Sequence, residues 1–305
     1  MNNFTTDTLA VLVFLHYTYP LQIEINSMEN HLAFTLVIFL PLLRLTSCQE
    51  SSHESILDRL GANWPQYDNI KKLNNDGSSE YDYIIVGGGS AGSVLANRLT
   101  EDQSTSVLLL EVGGIESAIS DMPILYEELQ RSELDWAYDT VPQENACCGH
   151  KDNSSFWPRG RVLGGSSVLN AMIYARGNQQ DYDVRWPNGW NWKDVLPYFL
   201  KAENNRDPNI VSNGLHARGG LLDVSSPTFM TPLASAFLEA APELGYPNLL
   251  DSNGPIIAGF SPGQLTIRDG ARCSTAKAYL HPVYRRKNLH ILTYAFATQV
   301  IIKHF

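Results

Sequence analysis

The chain has 305 residues, of which 44% are hydrophobic and 18% are charged, the balance of a globular protein long enough to bury a core. Its formal net charge of −10 excludes the basic surface that non-specific nucleic-acid binding requires. No unit of about 20–50 residues repeats, which excludes solenoids and propellers.

Residues 1–48 differ from the rest by two short apolar runs, Leu9–Leu15 and Leu32–Leu43. The longer run contains Pro41 and is shorter than the roughly 20 apolar residues of a membrane-spanning helix. It has the length of the apolar region of a signal peptide, and small residues follow it before Cys48. We therefore predict a signal segment, secretion and no stable membrane span in the mature chain. A membrane anchor and a buried helix are the alternatives.

Residues 49–80 are polar and end in a run rich in Asn, Gly and Ser, which predicts a flexible linker. From residue 81 the pattern changes to strand Tyr81–Val86, helix Ala91–Leu99 and strand Val107–Leu110. The apolar residues of both strands are continuous, which predicts a parallel sheet covered on both faces.

The pattern from Gly113 to Trp157 is irregular and interrupted by prolines. Beyond it, the periodicity predicts further helices and β-rich runs. These are helices over Trp192–Lys201, Leu233–Leu244 and Ser274–Tyr279, and strands over Leu289–Thr293 and Thr298–Lys303.

The polar segment Asn153-Ser154-Ser155 is an acceptor for N-glycosylation if the protein is secreted. Cleavage near Cys48 would leave three cysteines, Cys147, Cys148 and Cys273, an odd count that implies a free thiol or a partner outside the chain. No Cys or His spacing typical of a metal site occurs, so no metal is predicted.

Gly87, Gly89 and Gly92 form a G-x-G-x-x-G turn between the first predicted strand and helix. The first glycine permits the tight turn, the second lets the backbone approach a pyrophosphate, and the third lets helix and strand pack closely. Phosphates bind well at a helix N-terminus. Glu111 ends the second strand, where a carboxylate can accept both ribose hydroxyls of an adenosine. The turn predicts a dinucleotide but does not separate FAD from NAD.

A second glycine-rich segment, Trp157–Asn178, follows. Its glycines would let the backbone approach a flat ligand, its arginines would offset phosphate or flavin charge, and its serines would donate hydrogen bonds. A glycine-rich turn before a basic helix start is the alternative. The residues concerned are Gly160, Gly164 and Gly165; Arg159, Arg161 and Arg176; and Ser166 and Ser167.

Together the two motifs resemble the glucose–methanol–choline (GMC) oxidoreductase family, and look closest to its insect-type glucose dehydrogenases that use FAD and quinone. The resemblance runs from about Asp58 to Phe305 and includes the segments Trp136–Tyr138, Arg176–Asn178 and Arg272–Ala276. It implies an α/β fold, in which a Rossmann-type, doubly wound FAD-binding domain over residues 81–305 is interleaved with the start of an α+β substrate domain, partly over 181–270.

The resemblance implies one FAD in extended form. The positions that match its contacts are Gly87, Gly89, Ser90, Ala91 and Gly92 at the pyrophosphate, Glu111 at the adenosine ribose, Val162 and Gly165 beside the isoalloxazine ring, Asn170, Ala171, Met172 and Ile173 along the flavin, and Ala297 in the strand that grips adenine. Leu169 stands where some relatives carry a histidine bonded covalently to FAD. Leucine cannot form that bond, so the flavin is expected to be non-covalent.

The implied activity is oxidation of a CH–OH group of an alcohol or sugar, with hydride passing to FAD and then to quinone or oxygen. The family's second signature and its C-terminal histidine base are expected to lie beyond this chain, so the chain is interpreted as an N-terminal fragment without a catalytic residue. Its histidines His216, His281 and His290 show no evident carboxylate partner and are expected to be structural or exposed. The alternatives are a non-catalytic FAD-binding short isoform and a lyase-type member of the family.

Overall fold

The computed structural model describes residues 21–27, 80–211, 213–256 and 258–302. Its strands are β1 Leu21–Ser27, β2 Tyr83–Val86, β3 Val107–Leu110, β4 Tyr138–Asp139, β5 Phe156–Trp157, β6 Glu203–Asn205, β7 Leu222–Val224, β8 Ile267–Arg268, β9 Ala271–Arg272, β10 Leu289–Leu292 and β11 Ala295–Ile302. Its α-helices are α1 Ser90–Leu99, α2 Gln179–Arg185, α3 Trp192–Ala202, α4 Pro208–Val211 and α5 Pro232–Glu243. Short 3₁₀ turns cover Pro123–Leu125, Lys151–Asn153 and Gly165–Val168, and one turn of π-helix covers Ala276–Leu280.

Strands β10, β3 and β2 form a parallel sheet in that order. The register places Leu110, the last residue of β3, opposite both Val86 and Leu292. Because the three strands end together, the segments that follow them meet at one edge of the sheet. Gly87 is the first residue beyond β2, and Glu111 is the first residue beyond β3. The start of the glycine turn and the acidic residue therefore lie close together at this edge.

Every residue of the central strand β3 is buried, since its alternate side chains enter two apolar clusters. Leu109 lies in the larger cluster with Ile85, Ala96 of α1 and Leu280. Leu108 and Leu110 lie in the smaller one with Ala295. The predicted parallel, doubly covered sheet is therefore observed, and the fold is a mixed helix and strand fold of the α/β kind. The complete doubly wound arrangement stays a prediction.

The π-helical turn packs on α1 and completes the larger cluster. Its residues Ala276 and Leu280 are buried there, and the Asn97 side chain of α1 donates a hydrogen bond to the Tyr279 carbonyl at 2.6 Å. The sequence predicted a helix over Ser274–Tyr279, slightly ahead of the observed turn. Ser274 precedes the turn as a cap, since its hydroxyl accepts from Lys277 N at 3.2 Å and donates to Glu116 Oε1 at 2.8 Å.

Strand β11 pairs antiparallel with β1, with Leu21 opposite Ile302 and Ser27 opposite Ala295. Strand β1 falls inside the segment predicted as a signal. The apolar runs behind that prediction, Leu9–Leu15 and Leu32–Leu43, lie outside the described residues, as does almost all of the predicted linker. Within the described ranges, no helix combines the length and the apolar character needed to cross a bilayer.

A buried polar network joins the loops around β6 and β7. Arg176 Nη2 donates to Glu203 Oε2 at 2.6 Å, and His216 lies between Glu203 Oε1 at 2.8 Å and Asp251 Oδ2 at 3.0 Å. Ionised carboxylates only accept hydrogen bonds, so these two contacts favour a His216 ring that is protonated on both nitrogens. Burial opposes that charge, but the bonds to Asp251 and Glu203 raise the pKa of His216 above its usual value.

This network corrects two expectations from the sequence. His216 has two carboxylate partners rather than none, and His281 likewise has a carboxylate nearby, with its Nε2 3.9 Å from Glu116 Oε1; a structural role for these residues stays an expectation. The charge of Arg176 is offset by Glu203 inside the protein, so Arg176 is not free to offset the charge of a cofactor. The boundaries 1–48, 49–80 and 181–270 stay predictions.

Candidate dinucleotide site

The turn between β2 and α1 requires glycine at two positions for internal reasons. Gly87 has a φ of +100°, a left-handed conformation that other residues rarely adopt. A Cβ at Gly92 would lie 2.0 Å from the Gly87 carbonyl oxygen and 3.3 Å from Ile85 Cγ2. These contacts explain the first and third glycines of the motif as a tight turn and a close approach of helix to strand, as the sequence predicted.

Gly89 has no comparable internal reason. It is extended, with φ −72° and ψ −165°, and a Cβ there would have Gly165 Cα as its nearest neighbour, 3.9 Å away. No side chain caps the start of α1, and Ser90 and Ala91 are exposed. The first N–H groups of a helix have no intrahelical acceptor. This end of α1 therefore offers open space and free backbone donors to an anion.

The second glycine segment packs directly against the first. Gly164 N donates to Gly88 O at 2.7 Å, and Gly165, with a φ of +56°, would carry a Cβ only 2.6 Å from Gly89 Cα. Val162 is fully buried and forms a parallel bridge with Gly114, beyond β3. The predicted residues Gly89, Val162 and Gly165 are thus brought together by backbone contacts.

Glu111 is buried at the end of β3, beside the turn. Its Oε2 accepts from Gly88 N at 2.8 Å and its Oε1 accepts from Gly113 N at 2.9 Å. Burial raises the pKa of this carboxyl, while those two N–H groups and the nearby Arg161 oppose the rise. Each oxygen keeps a further lone pair, so the carboxylate can still accept ribose hydroxyls.

The segment 169–173 mixes buried and accessible residues. Leu169 and Met172 are buried, with 4% and 3% of their surface exposed, whereas Ile173 is 70% exposed. Asn170 is exposed and Ala171 is intermediate. Met172 has a φ of +61° and is held there, because its carbonyl accepts from Thr266 N at 2.8 Å. Asn170, Ala171 and Ile173 are therefore the members of this stretch that a ligand can reach.

Ala297 lies in β11, further from the turn than the other predicted positions. It packs beside the smaller apolar cluster, and two residues before it Ala295 N donates to Glu111 O at 2.9 Å. Its strand is thus tied to the end of β3, but among the described residues no hydrogen bond joins Ala297 to the glycine turn.

Sequence reasoning missed the residues that support the site. Arg272 and Thr275 belong to a segment that the resemblance included without a role. Thr275 N and Oγ1 contact Ser167 Oγ at 3.0 Å, and Thr275 Oγ1 donates to Gly164 O at 3.2 Å. Their partners lie about 100 residues away in sequence, so no local pattern reveals these contacts. The one available signal was that the resemblance to the family included residues 272–275.

Comparison with known families agrees with this geometry. The profile of the GMC oxidoreductase family matches residues 81–305. The chain belongs to this family. Glucose dehydrogenase [FAD, quinone] of Drosophila melanogaster is 45% identical over 227 residues, which cover 73% of this chain and 36% of that protein. Mitochondrial choline dehydrogenase of Mus musculus is 41% identical over 240 residues, covering 74% and 39% of the two chains.

Among solved structures, pyridoxine 4-oxidase from Mesorbium loti has a TM-score of 0.63 at 40% identity, covering 69% of this chain and 42% of that one. The family recognised from the two glycine motifs is thus confirmed. The chain spans less than half the length of these GMC relatives, so the activity of a whole protein is a matter of proposal. No group of three or more His, Cys, Asp or Glu side chains within the described ranges is placed to hold a metal ion.

Proposed function

We propose that this chain forms the FAD-binding part of an oxidoreductase that acts on CH–OH groups of alcohols or sugars, with quinone or oxygen as the final acceptor. The observation that carries the proposal is the open space at Gly89. Its extended backbone and its 3.9 Å clearance would accept a Cβ as far as the protein is concerned, so a bound pyrophosphate accounts for the glycine.

The surrounding residues fit an extended FAD. The uncapped N-terminus of α1, at Gly89, Ser90 and Ala91, supplies backbone N–H donors and the positive end of a helix dipole to the pyrophosphate. Glu111 supplies a carboxylate for the adenosine ribose. Gly165 keeps the second segment against the turn, so that the chain from Asn170 onward borders the flavin.

A bound FAD would accept hydride from the substrate carbon, and the chain's own residues would bind and orient it. Leu169 lacks a nucleophile, so the FAD is proposed to be non-covalent. The proposed substrate class and acceptors draw on the relatives, one of which is named for FAD and quinone. No residue of this chain is proposed as the base that takes the hydroxyl proton, since His216 is fully engaged by Glu203 and Asp251.

Secretion is proposed as well, on the apolar run Leu32–Leu43, with a membrane anchor as the alternative. The run lies outside the described residues. Tagging the full-length protein at its C-terminus and following it into the culture medium tests this, because an anchored protein would stay with the membrane fraction.

The activity is tested with the full-length natural protein. We expect bound flavin after purification and bleaching of its visible absorbance when glucose, choline or a simple alcohol is added without oxygen. Deuterium at the carbinol carbon should slow the bleaching, because that C–H bond breaks. Bleaching by NADH with none by any alcohol or sugar would contradict the proposed reaction but not the FAD site.

A further inference from the structure

Arg272 is a deeply buried arginine that ties two loops together. Its side chain is 1% exposed. Its Nε donates to the Ser120 carbonyl at 2.8 Å, and its Nη1 donates to the carbonyls of Ser167 at 3.1 Å and Asn170 at 2.7 Å. A guanidinium holds its donors in a rigid plane, so this one group fixes the distance between the loop after β3 and the second glycine segment.

The same guanidinium also fixes a side chain. Arg272 Nη1 lies 3.0 Å from Asn170 Oδ1, and Met172 N donates to that oxygen at 3.0 Å. A carboxamide oxygen has two lone pairs, and both are now used. The amide nitrogen must therefore point away from Arg272. In the part of the chain that the structure describes, no acceptor contacts Asn170 Nδ2, and Asn170 is exposed.

The backbone path from the glycine turn to Asn170 indicates where the free N–H donors of the Asn170 amide lie. Gly165 packs on Gly89, and the 3₁₀ turn Gly165–Val168 leads from there to Asn170. The backbone stays helical along this path, since Asn170 N donates to Ser166 O at 3.0 Å. At about 1.5–2.0 Å per residue, Asn170 lies roughly 7–10 Å along the segment from Gly165. That is comparable with the ribityl chain that separates the pyrophosphate of FAD from its ring.

We propose that Arg272 is a positioning residue that orients the Asn170 carboxamide, so that its N–H donors bind an acceptor atom on the isoalloxazine ring of FAD. This rests on the proposed FAD-binding function. Isoalloxazine carries carbonyl oxygens and ring nitrogens that accept hydrogen bonds, which matches a pair of free amide donors. Arg272 touches no cofactor itself and acts through Asn170.

The charge of Arg272 makes its replacement informative. Its Nη2 is buried without a hydrogen-bond partner among the described residues. Burial lowers the pKa of the guanidinium, while the carboxylates of Glu116 and Asp121 act in the opposite direction. Lysine would keep a positive charge for those carboxylates but would lose the planar fork that reaches both loops. Arg272→Lys therefore separates geometry from charge.

Three variants of the full-length holoprotein test the proposal. Arg272→Lys releases the Asn170 amide. Asn170→Asp keeps an oxygen for Arg272 and Met172 but replaces the N–H donors by an acceptor. Arg286→Lys is the matched control, because Arg286 also binds a backbone carbonyl, Asn97 O at 2.7 Å, away from the glycine segments. The readouts are the FAD dissociation constant, the midpoint potential of the bound flavin and the thermal midpoint of the apoprotein.

We expect Arg272→Lys and Asn170→Asp each to weaken FAD binding by about tenfold, the effect of one good hydrogen bond. Asn170→Asp should also lower the midpoint potential, since a nearby anion disfavours reduction, and should not lower the apoprotein thermal midpoint, because a carboxylate there pairs with the buried guanidinium of Arg272. The double variant should bind FAD no more weakly than Asn170→Asp, because both changes remove one interaction. Arg286→Lys should change only the thermal midpoint.

The positioning role is refuted if Arg272→Lys lowers the thermal midpoint but leaves the FAD affinity and the midpoint potential like those of Arg286→Lys. It is also refuted if the losses of FAD affinity in Arg272→Lys and Asn170→Asp add in the double variant. If Arg272→Lys does not fold, Asn170→Asp decides alone: unchanged affinity and potential would overturn the proposal. A wild-type protein that binds no FAD would instead refute the proposed function on which it rests.

Discussion

Gly89 and Gly92, the second and third glycines of the turn, can be compared directly. Alanine at either position should be unfavourable, but for a different physical reason at each. In Gly92→Ala the new methyl would lie 2.0 Å from the Gly87 carbonyl oxygen, so the turn must move away from α1. In Gly89→Ala the nearest atom is 3.9 Å away, and the extended backbone at Gly89 suits alanine. One variant should damage the fold, and the other should damage only the binding of FAD.

The magnitudes follow from these distances. Overpacking of this kind costs about 1–3 kcal/mol, so Gly92→Ala should lower the free energy of unfolding by that amount or more. Alanine is a poorer residue than glycine ahead of a helix, and Gly89→Ala should cost at most about 1 kcal/mol of stability. If the pyrophosphate occupies the space beside Gly89, the same overpacking range applies to binding and raises the FAD dissociation constant by about 5- to 150-fold.

The assay needs two measurements on the full-length protein and both variants. Thermal or urea unfolding of the apoprotein reports stability, and quenching of flavin fluorescence on titration reports FAD affinity. Gly89→Ala that binds FAD like the wild type would show that the pyrophosphate does not lie beside Gly89. Gly92→Ala that is as stable as the wild type would show that the close contact with Gly87 is relaxed in solution.

Three further predictions concern other residues. Acid precipitation of the holoprotein should leave all flavin in the supernatant, because Leu169 has no nucleophile; flavin retained in the pellet would reveal a covalent bond. The raised pKa of His216 stabilises the fold fully below its unfolded value of about 6.5 and loses this contribution as the pH rises through the folded value. The lowered pKa values of Glu203 and Asp251 act in the opposite sense, losing their contribution as the pH falls through the folded values. Urea unfolding from about pH 6 to pH 9 should therefore show a decline that His216→Gln removes, and an equal decline in both proteins would exclude His216 as its origin. In secreted full-length protein, exposed Asn153 should carry a glycan, so that Asn153→Gln and enzymatic deglycosylation give the same gel mobility; a secreted wild type whose mobility neither treatment changes would contradict this.

The sheet and the helix of the glycine turn were predictable because their signals are local. The strand Val107–Leu110 and the end of β2 at Val86 were found at the predicted residues, since both are continuous apolar runs that end at glycine or acid. The start of β2 was predicted at Tyr81 and found at Tyr83. Asp82 precedes the strand and accepts from Ser106 N and Oγ, each at 2.7 Å, a contact that no local pattern reveals.

Polar contacts between residues far apart in the chain could not be predicted from the sequence. His216 looked partnerless because Glu203 and Asp251 lie 13 and 35 residues away, and only the fold brings them to either side of its ring. Arg272 reaches carbonyls more than 100 residues earlier in the chain. Both residues are charged, and a charged residue in a sequence is usually read as exposed, whereas these two are buried and hydrogen-bonded.

Backbone groups and side chains have different roles in the proposed site, and this difference predicts which substitutions the site should tolerate. The proposed contacts with the pyrophosphate come from backbone at Gly89, Ser90 and Ala91, so they require open space rather than particular side chains. Gly165 is constrained by the protein itself, because a Cβ there would lie 2.6 Å from Gly89 Cα. Ala297 packs beside Leu108 and Leu110, so a change of its small side chain would act on that packing. The residue that holds the backbone in place has the opposite requirement, because Arg272 depends on the length and planarity of its side chain. The proposed FAD site therefore depends both on open backbone space at Gly89 and on the length and planarity of the Arg272 side chain.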